Sequence, residues 1–399
     1  MNKTVLSTIA DTQQGQSPES IYYSDSEGIP FLQGNRTFGL LYPSYDTYTK
    51  KETKIAKKGD VLMSVRAPVG DLNIADRDIC IGRGLASLRA KDGNNQFLYY
   101  ALKYNVRNLV KQGAATTYDS VNRYTIRNFE LIIPELTSDR KTVGEVLSAL
   151  DAKIELNNKI ITELEEMART LYDYWFVQFD FPDANGEPYK TSGGKMAWSE
   201  ELKREVPEVW GVNNILEVAE WIGGSQPPKS TFKFSPDSCY VRFIQNRDYA
   251  NDENLTYIRI NNSNKLCDEL DIMMDKYGEA GKTRFGLAGA YNVALSRIKI
   301  NLEYGQEYIR KFLESKQIHN YLYNACMAST RASLNEDIVG NLFLAFPKEE
   351  TLKMFERHQK MFLYKILQNR KESEKLATLR DWLLPLLMNG QVTIKNHIT

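Results

Sequence analysis

Residues 115–134 read ATTYDSVNRYTIRNFELIIP, and residues 328–347 read ASTRASLNEDIVGNLFLAFP. The two stretches align without a gap at an offset of 213 residues (328 minus 115). Seven positions are identical, numbered here by the first stretch: Ala115, Thr117, Ser120, Asn122, Asn128, Leu131 and Pro134. The chain of 399 residues therefore contains the same short pattern in each of its halves.

The similarity extends outward from this pattern. DVLMSVRAPVG at 60–70 aligns with DIMMDKYGEAG at 271–281, and ICIGRGLASLRA at 79–90 aligns with AGAYNVALSRIK at 288–299. The offsets differ by only a few residues, which is typical of loop insertions between homologous domains. The pattern predicts a tandem duplication of one large globule and excludes a solenoid of short repeats.

Each globule is predicted to mix strands and helices. Short apolar runs bounded by Gly and Pro indicate strands, and amphipathic stretches indicate helices. The predicted strands are Val61–Val65, Ile79–Leu88, Ile272–Met274 and Val293–Ile300, and the predicted helices cover 96–111 and 306–324. The polar stretch quoted first then leads into a strand that ends at Pro134 or Pro347.

A long helix is predicted after each globule. In the first, the apolar positions from Val143 to Trp175 follow the alternating 4–3 spacing of a coiled-coil seam, interrupted by Asn157. The second seam is weaker, and Asn369 occupies the position that matches Asn157. A helix this long cannot bury its apolar stripe alone, so we predict that the two helices pack antiparallel about a pseudo-two-fold axis.

The register of these helices is expected to depend on the two asparagines. A hydrogen bond between Asn157 and Asn369 would set the alignment, which is a common use of a buried seam Asn. The alternative is that both side chains face solvent on bent helices.

The predicted fold class is α+β, with two homologous mixed α/β domains separated by two long antiparallel coiled-coil helices. The expected boundaries are 1–141 for the first domain, 142–178 for the first helix, 179–211 for a linker, 212–347 for the second domain and 348–390 for the second helix.

Composition limits the possible functions. The chain is 42% hydrophobic and 26% charged, which are ordinary globular values. It has no apolar run of membrane-spanning length and no apolar signal core, so we expect a soluble, cytoplasmic protein without a membrane partner.

Four scattered cysteines and three histidines predict neither a disulfide framework nor a metal site. Because the net charge is zero, DNA binding would require a locally basic face or basic surface from a partner.

Motifs for catalysis are missing from the sequence. GEAGKT at 278–283 differs from a phosphate-binding loop because Lys276 stands where that loop needs its first Gly. KETK at 51–54 only loosely imitates a nuclease motif, and no Ser/His/Asp or Cys/His set stands out. We therefore predict no catalytic residue and no cofactor for this chain.

Two kinds of polar loop recur in both halves and suit hydrogen bonding to base edges and phosphates. One follows the DVLM or DIMM strand, and the other is the repeated stretch at 113–123 and 327–337. The candidate DNA-binding residues are Arg66, Arg83, Thr116, Thr117, Tyr118, Ser120, Asn122, Lys276, Tyr277, Lys282, Arg284, Tyr291, Thr330, Arg331, Ser333 and Asn335.

Structural explanations compete for some of these residues. The repeated Ser and Asn pairs, Ser120 with Asn122 and Ser333 with Asn335, could cap the turn or helix that follows. Arg83 and Tyr291 could lie at the edge of the core. Gly70 and Gly281 are expected to be turn residues.

One segment, LDAKIELNNKIITELEEMARTLYDYWFVQFDFPDANGEPYKTSGGKMAW at 150–198, resembles the central conserved region of type I restriction–modification specificity subunits. GDVLMSVRAPVGDLNIADRDICIGRGLASLRA at 59–90 and GAYNVALSRIKI at 289–300 resemble that family's target-recognition domains. The likeness covers essentially the whole chain. It implies two target-recognition domains that each read half of a split DNA site, with the long helices setting the gap.

The resemblance also implies the partners. Such subunits are not catalytic, and they dock two adenine methyltransferase (M) subunits and, in the full complex, two translocating restriction (R) subunits. S-adenosylmethionine, ATP and Mg are expected only in those partners, while this chain binds double-stranded DNA and directs methylation and restriction. The alternative function is a non-catalytic, two-headed protein-interaction scaffold that does not bind DNA.

Overall fold

The computed structural model describes residues 2–113, 121–134, 137–252, 254–328 and 333–392. The chain divides into two compact units. Unit 1 comprises Met1–Ile160 with Asn369–Thr399, and unit 2 comprises Ile161–Gln368. Among the described residues, no helix combines the length and the apolar character that crossing a bilayer requires.

Unit 1 begins with the strands of the first globule. Its strands are β1 (Asn2–Val5), β2 (Ala10–Gln14), β3 (Tyr23–Ser24), β4 (Ile29–Leu32), β5 (Tyr48–Thr49), β6 (Ile55–Ala56), β7 (Val61–Ser64), β8 (Leu72–Ile74), β9 (Ile79–Ile81), β10 (Leu85–Ala90) and β11 (Glu130–Ile133). Its helices are α1 (Leu6–Ile9), α2 (Asn95–Gly113), α3 (Arg123–Arg127) and α4 (Thr137–Tyr172), and the last residues of α4 belong to unit 2.

Two sheets form the body of unit 1. One is antiparallel with the order β2-β10-β7-β8, and the other has the order β3-β5-β4-β9-β6 with a parallel β4–β9 pair. All four residues of β7 are buried, which explains why its sequence VLMS is not an alternating pattern. Helix α2 contributes Phe97 and Tyr100 to the core, which also includes Leu147 of α4.

Unit 2 continues from the end of α4, where a π-helical turn covers Asp173–Val177. Its strands are β12 (Met196–Ser199), β13 (Arg204–Pro207), β14 (Gly211–Asn214), β15 (Ala219–Gly223), β16 (Tyr240–Ile244), β17 (Tyr257–Arg259), β18 (Leu266–Cys267), β19 (Ile272–Asp275), β20 (Thr283–Arg284), β21 (Gly289–Tyr291), β22 (Leu295–Ile300) and β23 (Phe343–Phe346). Its helices are α5 (Ile215–Val218), α6 (Gln306–Glu314), α7 (Lys316–Ala328), α8 (Glu336–Val339) and α9 (Glu349–Met388).

The main sheets of unit 2 have the strand orders of those of unit 1, except that the second sheet of unit 2, with the order β17-β16-β21-β18, has no counterpart of the edge strand β3. The order β15-β22-β19-β20 corresponds to β2-β10-β7-β8, and β16 runs parallel to β21 as β4 does to β9. In the register of these parallel pairs, Phe31 is the partner of Cys80 in unit 1, and Phe243 is the partner of Ala290 in unit 2. The predicted mixed α/β architecture with two sheet-rich domains is confirmed.

Several predicted elements are divided differently. The single strand predicted at 79–88 is two strands, because a turn at Gly82–Gly84 passes so close to Gln33 that a Cβ at Gly82 would lie 2.9 Å from its Cα. The strand predicted at 293–300 begins at Leu295. The helix predicted at 306–324 is two helices, because Ser315 between them has extended backbone.

The long helices contact each other inside each unit. In unit 1, Arg380 Nη1 lies 2.5 Å from Asp151 Oδ1, and Asn157 Nδ2 donates to Glu372 Oε2 over 2.9 Å. Later residues of α4 thus meet earlier residues of α9, as in an antiparallel pair. The coiled-coil geometry and the hydrogen bond between Asn157 and Asn369 stay predictions.

The segment predicted as a linker, 179–211, contributes to the core of unit 2. Phe181 and Trp210 are buried with ring centroids 4.8 Å apart, and β12 and β13 pair as an antiparallel hairpin. Phe176 of the π-helical turn after α4 and Phe355 of α9 lie in the same cluster, with ring centroids 4.7 Å apart and edge to face. This aromatic cluster attaches the segment firmly to unit 2.

Candidate nucleic-acid interface

Four segments of unit 1 meet where strands β2, β7 and β9 end: the loops that follow these strands and the end of the repeated polar stretch. Val121, at the end of the repeated polar stretch, donates its backbone N–H to Val65 O over 3.0 Å. Val65 in turn donates to Gly84 O over 2.9 Å, in the turn between β9 and β10. The loop after β2 joins them, because Gln16 N donates to Ile81 O over 2.9 Å. We call residues 15–19, 65–71, 82–84 and 121–122 the loop cluster of unit 1.

The same hydrogen bonds recur in unit 2. Leu334 donates to Lys276 O over 3.1 Å, and Lys276 donates to Ala294 O over 2.8 Å. The loop after β15 joins them through Ser225, which donates to Tyr291 O over 3.1 Å. Residues 224–228, 276–282, 292–294 and 333–335 form the loop cluster of unit 2. The two kinds of loop selected from the sequence therefore come together in both units.

Glycines permit the close approach of these loops. A Cβ on Gly15 would overlap the carbonyl oxygen of Gly82, and a Cβ on Gly224 would overlap that of Asn292. Gly70, with φ of 94°, is the turn residue that the sequence suggests, and it donates to Ser64 O over 3.0 Å. The backbone of each cluster is thus closely packed.

The candidate DNA-binding cations of unit 1 are exposed to solvent. Arg66 follows β7 and is exposed, and Arg83 is exposed in the turn between β9 and β10. The backbone N–H of Arg83 donates to Ser17 Oγ over 3.3 Å, which connects this turn to the loop after β2. Arg66 and Arg83 are therefore both residues of the loop cluster of unit 1.

Two of the candidate DNA-binding cations of unit 2, Lys282 and Arg284, form ion pairs with carboxylates instead. Arg284 lies 2.8 Å from Asp275 and 2.6 Å from Glu279, and Lys282 lies 2.7 Å from Glu279. Burial alone would lower the pKa of Arg284, but the two carboxylates more than offset this and raise it. Lys282, with Arg284, lowers the pKa of Glu279. The half-buried Lys276 and the exposed Tyr277 lie beside this network.

Both repeated asparagines act as helix caps. Asn122 Oδ1 accepts from Thr125 N over 2.9 Å, and Asn335 Oδ1 accepts from Ile338 N over 3.0 Å. These bonds confirm the capping explanation for Asn122 and Asn335. Ser333 donates to the neighbouring Leu334 O over 3.4 Å.

Tyr291 is a core residue in this structure. Its side chain is 1% exposed, and its hydroxyl donates to Ile222 O over 3.2 Å. Burial raises the pKa of Tyr291, as expected for a phenol kept away from water. This position favours the core-edge explanation over contact with DNA. Six of the selected residues, Thr116, Thr117, Tyr118, Ser120, Thr330 and Arg331, lie outside the described residues.

The loops after β2 and β15 join the two clusters, although neither loop is among the sites predicted from the sequence. Gly15-Gln16-Ser17-Pro18 and Gly224-Ser225-Gln226-Pro227 share the spacing of Gly and Pro, which could have revealed them. Ser17 Oγ donates to Gln33 Oε1 over 2.8 Å in unit 1. In unit 2, Ser225 Oγ and Asn246 Oδ1 are buried without a hydrogen-bond partner among the described residues. Such atoms are costly unless water or a ligand satisfies them.

Metal-binding potential is low in the part of the chain that the structure describes. There, no group of three or more His, Cys, Asp or Glu side chains is arranged to hold a metal ion.

Comparison with known proteins supports a common origin with one family. Residues 3–166 match the family described as the type I restriction modification DNA specificity domain. A candidate specificity subunit of type I restriction enzyme MjaX from Methanocaldococcus jannaschii is 36% identical over 160 residues, 39% of this chain and 37% of that protein. The type I restriction enzyme MjaIX specificity subunit of the same organism is 25% identical over 358 residues, 86% of this chain and 79% of that protein.

A solved structure has the same fold. The S subunit of a type I restriction–modification system from M. genitalium superposes with a TM-score of 0.67 at 14% identity, covering 97% of this chain and 96% of that one. Fold and sequence matches point to the same group of proteins. The chain thus resembles the type I restriction–modification specificity subunits, in sequence over residues 3–166 and in fold over 97% of its length.

Proposed function

We propose that the chain is the DNA-reading subunit of a type I restriction–modification complex. Each unit reads one half of a bipartite, gapped target in double-stranded DNA. The subunit itself catalyses nothing and directs adenine methylation and restriction by M and R partner subunits. S-adenosylmethionine, ATP and Mg belong to those partners in this proposal, and two M subunits bind each chain.

The observation that carries the proposal is the repetition of one loop cluster in two units. Val121 with Val65 and Leu334 with Lys276 make equivalent backbone hydrogen bonds. Two matched sites in one chain suit a target with two separate blocks of bases, since the spacing of half-sites follows the geometry of the protein. Exposed Arg66 and Arg83 supply cations for phosphate or guanine contacts.

The loops after β2 and β15 join the residues proposed to contact DNA. Ser225 Oγ in the loop after β15 and Asn246 Oδ1 in the turn after β16 are buried acceptors without a described partner, and a bound base or water would satisfy them. Gln16, Ser17 and Gln226 have side chains of the types that bond base edges. By contrast, Tyr291 is withdrawn from the proposed contacts because it is buried.

Mapping of methylated adenines across the native genome tests this function. The genome would be compared with the gene intact and with the gene deleted. We expect methylation to disappear at one split motif with a gap of constant length. Loss at an ungapped motif would contradict the bipartite proposal, and no loss even after a cognate methyltransferase is supplied would contradict the role in DNA recognition.

A further inference from the structure

Unit 1 has a charged groove beside β2, next to the loop cluster but lined by other residues. Its volume is about 590 Å³. Strands β2, β6 and β10 form its floor, and helix α3 lies along one side. The charged residues that line it are five cations and two carboxylates: Lys57, Arg89, Lys91, Arg123, Arg127, Asp11 and Asp60.

Three of the five cations already have partners. Arg89 Nε lies 2.6 Å from Asp60 Oδ1, and Lys57 Nζ lies 2.7 Å from Asp78 Oδ2. Lys91 Nζ donates to a backbone carbonyl oxygen over 2.7 Å. These contacts neutralise part of the groove and orient its long side chains.

Arg123 and Arg127 are different. Both are exposed, and neither forms an ion pair with any residue that the structure describes. Arg123 directly follows the helix cap Asn122, in the first turn of α3, where the helix dipole disfavours a cation. Tyr124 beside it is 77% exposed. Local stability therefore does not explain why Arg occupies position 123.

The corresponding position in unit 2 has the opposite charge. Helix α8 also follows an Asn cap, but its first residues are Glu336 and Asp337. On the adjoining strands, Lys299 lies 3.7 Å from Glu220, so this cation is balanced. Within the described residues, the surplus of positive charge beside these short helices is found in unit 1.

We infer that this groove binds the phosphate backbone of double-stranded DNA next to the bases read by unit 1. The inference rests on the proposed function and adds a contact that is independent of base sequence and that unit 2 lacks. The groove reaches the loop cluster of unit 1, because Gln13, which lines the groove, lies two residues before Gly15. Phosphates flank base edges in duplex DNA, and guanidinium groups match phosphate geometry.

Salt-dependent binding of DNA tests the inference. The probe is a labelled 30-base-pair duplex of random sequence, titrated with the full chain, alone and with its methyltransferase partners, between 50 and 200 mM NaCl. The test variant is R123Q/R127Q. The charge-matched control is K3Q/K50Q, which removes two lysines of unit 1 that do not line the groove.

Each phosphate contact contributes roughly 0.9 to the slope of log affinity against log salt. We expect R123Q/R127Q to reduce that slope by about 2, so that the fall in affinity over this salt range becomes roughly tenfold smaller. The control should retain the wild-type slope. The methylated motif should be the same in cells carrying either variant, because the groove does not read bases.

The outcomes separate this inference from the proposed function. If wild-type protein binds the duplex and R123Q/R127Q keeps the full slope, the groove does not hold phosphates, and an acidic protein becomes the better occupant to test. An equal loss of slope in K3Q/K50Q would also overturn the inference, since the effect would then follow net charge alone. Failure of the wild-type protein to bind DNA in both forms would overturn the inference and the proposed function together.

Discussion

At the scale of single residues, a buried polar triad links three helices of unit 1. Tyr100 of α2 donates to Asp151 Oδ2 over 2.6 Å, and Arg380 of α9 contacts the other carboxylate oxygen over 2.5 Å. Asp151 and Arg380 are both buried. Burial and then the charge of Asp151 raise the pKa of Tyr100, so its hydroxyl remains a donor. Because each group depends on the others, the triad favours one alignment of α4 with α9.

Removing one member of this triad should be more harmful than removing the whole triad. R380M leaves a buried carboxylate without its cation, so we expect it to lower the free energy of unfolding by about 3–5 kcal/mol. Y100F/D151L/R380M should recover most of that loss, because it removes the whole triad, leaves no buried hydroxyl without its acceptor, and a buried ion pair can be replaced by apolar side chains at little cost. Urea denaturation of both variants and the wild type measures the difference. Equal losses in the two variants would show that the triad itself stabilises unit 1.

The burial of the cysteines gives a second prediction at the scale of single residues, on the reactivity of their thiols. Burial raises the pKa of the Cys267 thiol to about 12 and also raises that of Cys326. A raised pKa lowers the fraction of reactive thiolate at pH 8. Cys239 is exposed, whereas Cys80 is fully buried. We therefore expect one fast-reacting thiol per native chain with a maleimide reagent.

The variant C239S provides the control for that labelling. It should lose the fast phase, and denatured wild-type protein should label at all four cysteines. Rapid labelling of a second cysteine in the native protein would show that one of the buried sites opens readily.

At the scale of elements, the two units hold the helix after their main sheet in different ways. In unit 1, Asn94 caps α2 by accepting from Phe97 N over 3.0 Å, and Gly144 of α4 lies directly against that turn. In unit 2 the N-terminus of α6 has Gly305 instead, and Glu356 of α9 accepts from Gly305 N over 2.6 Å and from Gln306 N over 3.1 Å. The long helices therefore serve as packing surface in one unit and as cap in the other.

This difference predicts losses of stability with different causes at matched positions, since 144 and 356 differ by 212 residues, as Asn157 and Asn369 do. E356A would leave two backbone donors without their acceptor and should cost about 1–3 kcal/mol, while E356Q should cost less. G144A would place a Cβ 2.8 Å from Phe97 N and should cost a similar amount through crowding. Urea denaturation measures both losses. A neutral E356A would show that solvent satisfies those donors.

The sequence predicts the elements better than it predicts their contacts. The apolar periods locate both long helices, and the buried run VLMS locates the centre of a sheet. The periods cannot show that Asp151, outside the apolar seam, is buried, because its burial depends on Arg380 far along the chain. The loops after β2 and β15 have a shared spacing of Gly and Pro in the sequence, but only the fold brings Gln16 to Ile81.

At the scale of the whole molecule, the two loop clusters should act independently. Replacing Thr116–Tyr118 of unit 1 should change or abolish recognition of one half-site, and the other half-site should stay the same. Replacing Thr330 and Arg331 in unit 2 should have the reciprocal effect. Methylation mapping in cells that carry each variant measures both halves at once. A variant that altered both halves would contradict independent reading by the two units.

The two long helices should determine the gap between the half-sites, because both have residues in unit 1 and in unit 2. Removing residues 158–164 from α4 and 362–368 from α9 deletes one heptad from each, between the contact of Asn157 with Ser373 and that of Ala168 with Gln359. A heptad nearly preserves the helix face and shortens each helix by about 10 Å. At about 3.4 Å per base pair, this corresponds to roughly three base pairs.

Selection from a duplex library with randomised gap lengths measures the effect directly. We expect the double deletion to select a gap roughly three base pairs shorter, with unchanged bases in both half-sites. Deletion from α4 alone is the control, and it should abolish binding because the remaining contacts between the helices would no longer align. An unchanged gap in the double deletion would show that the helices do not set the spacing, and changed bases would show that they influence the reading loops.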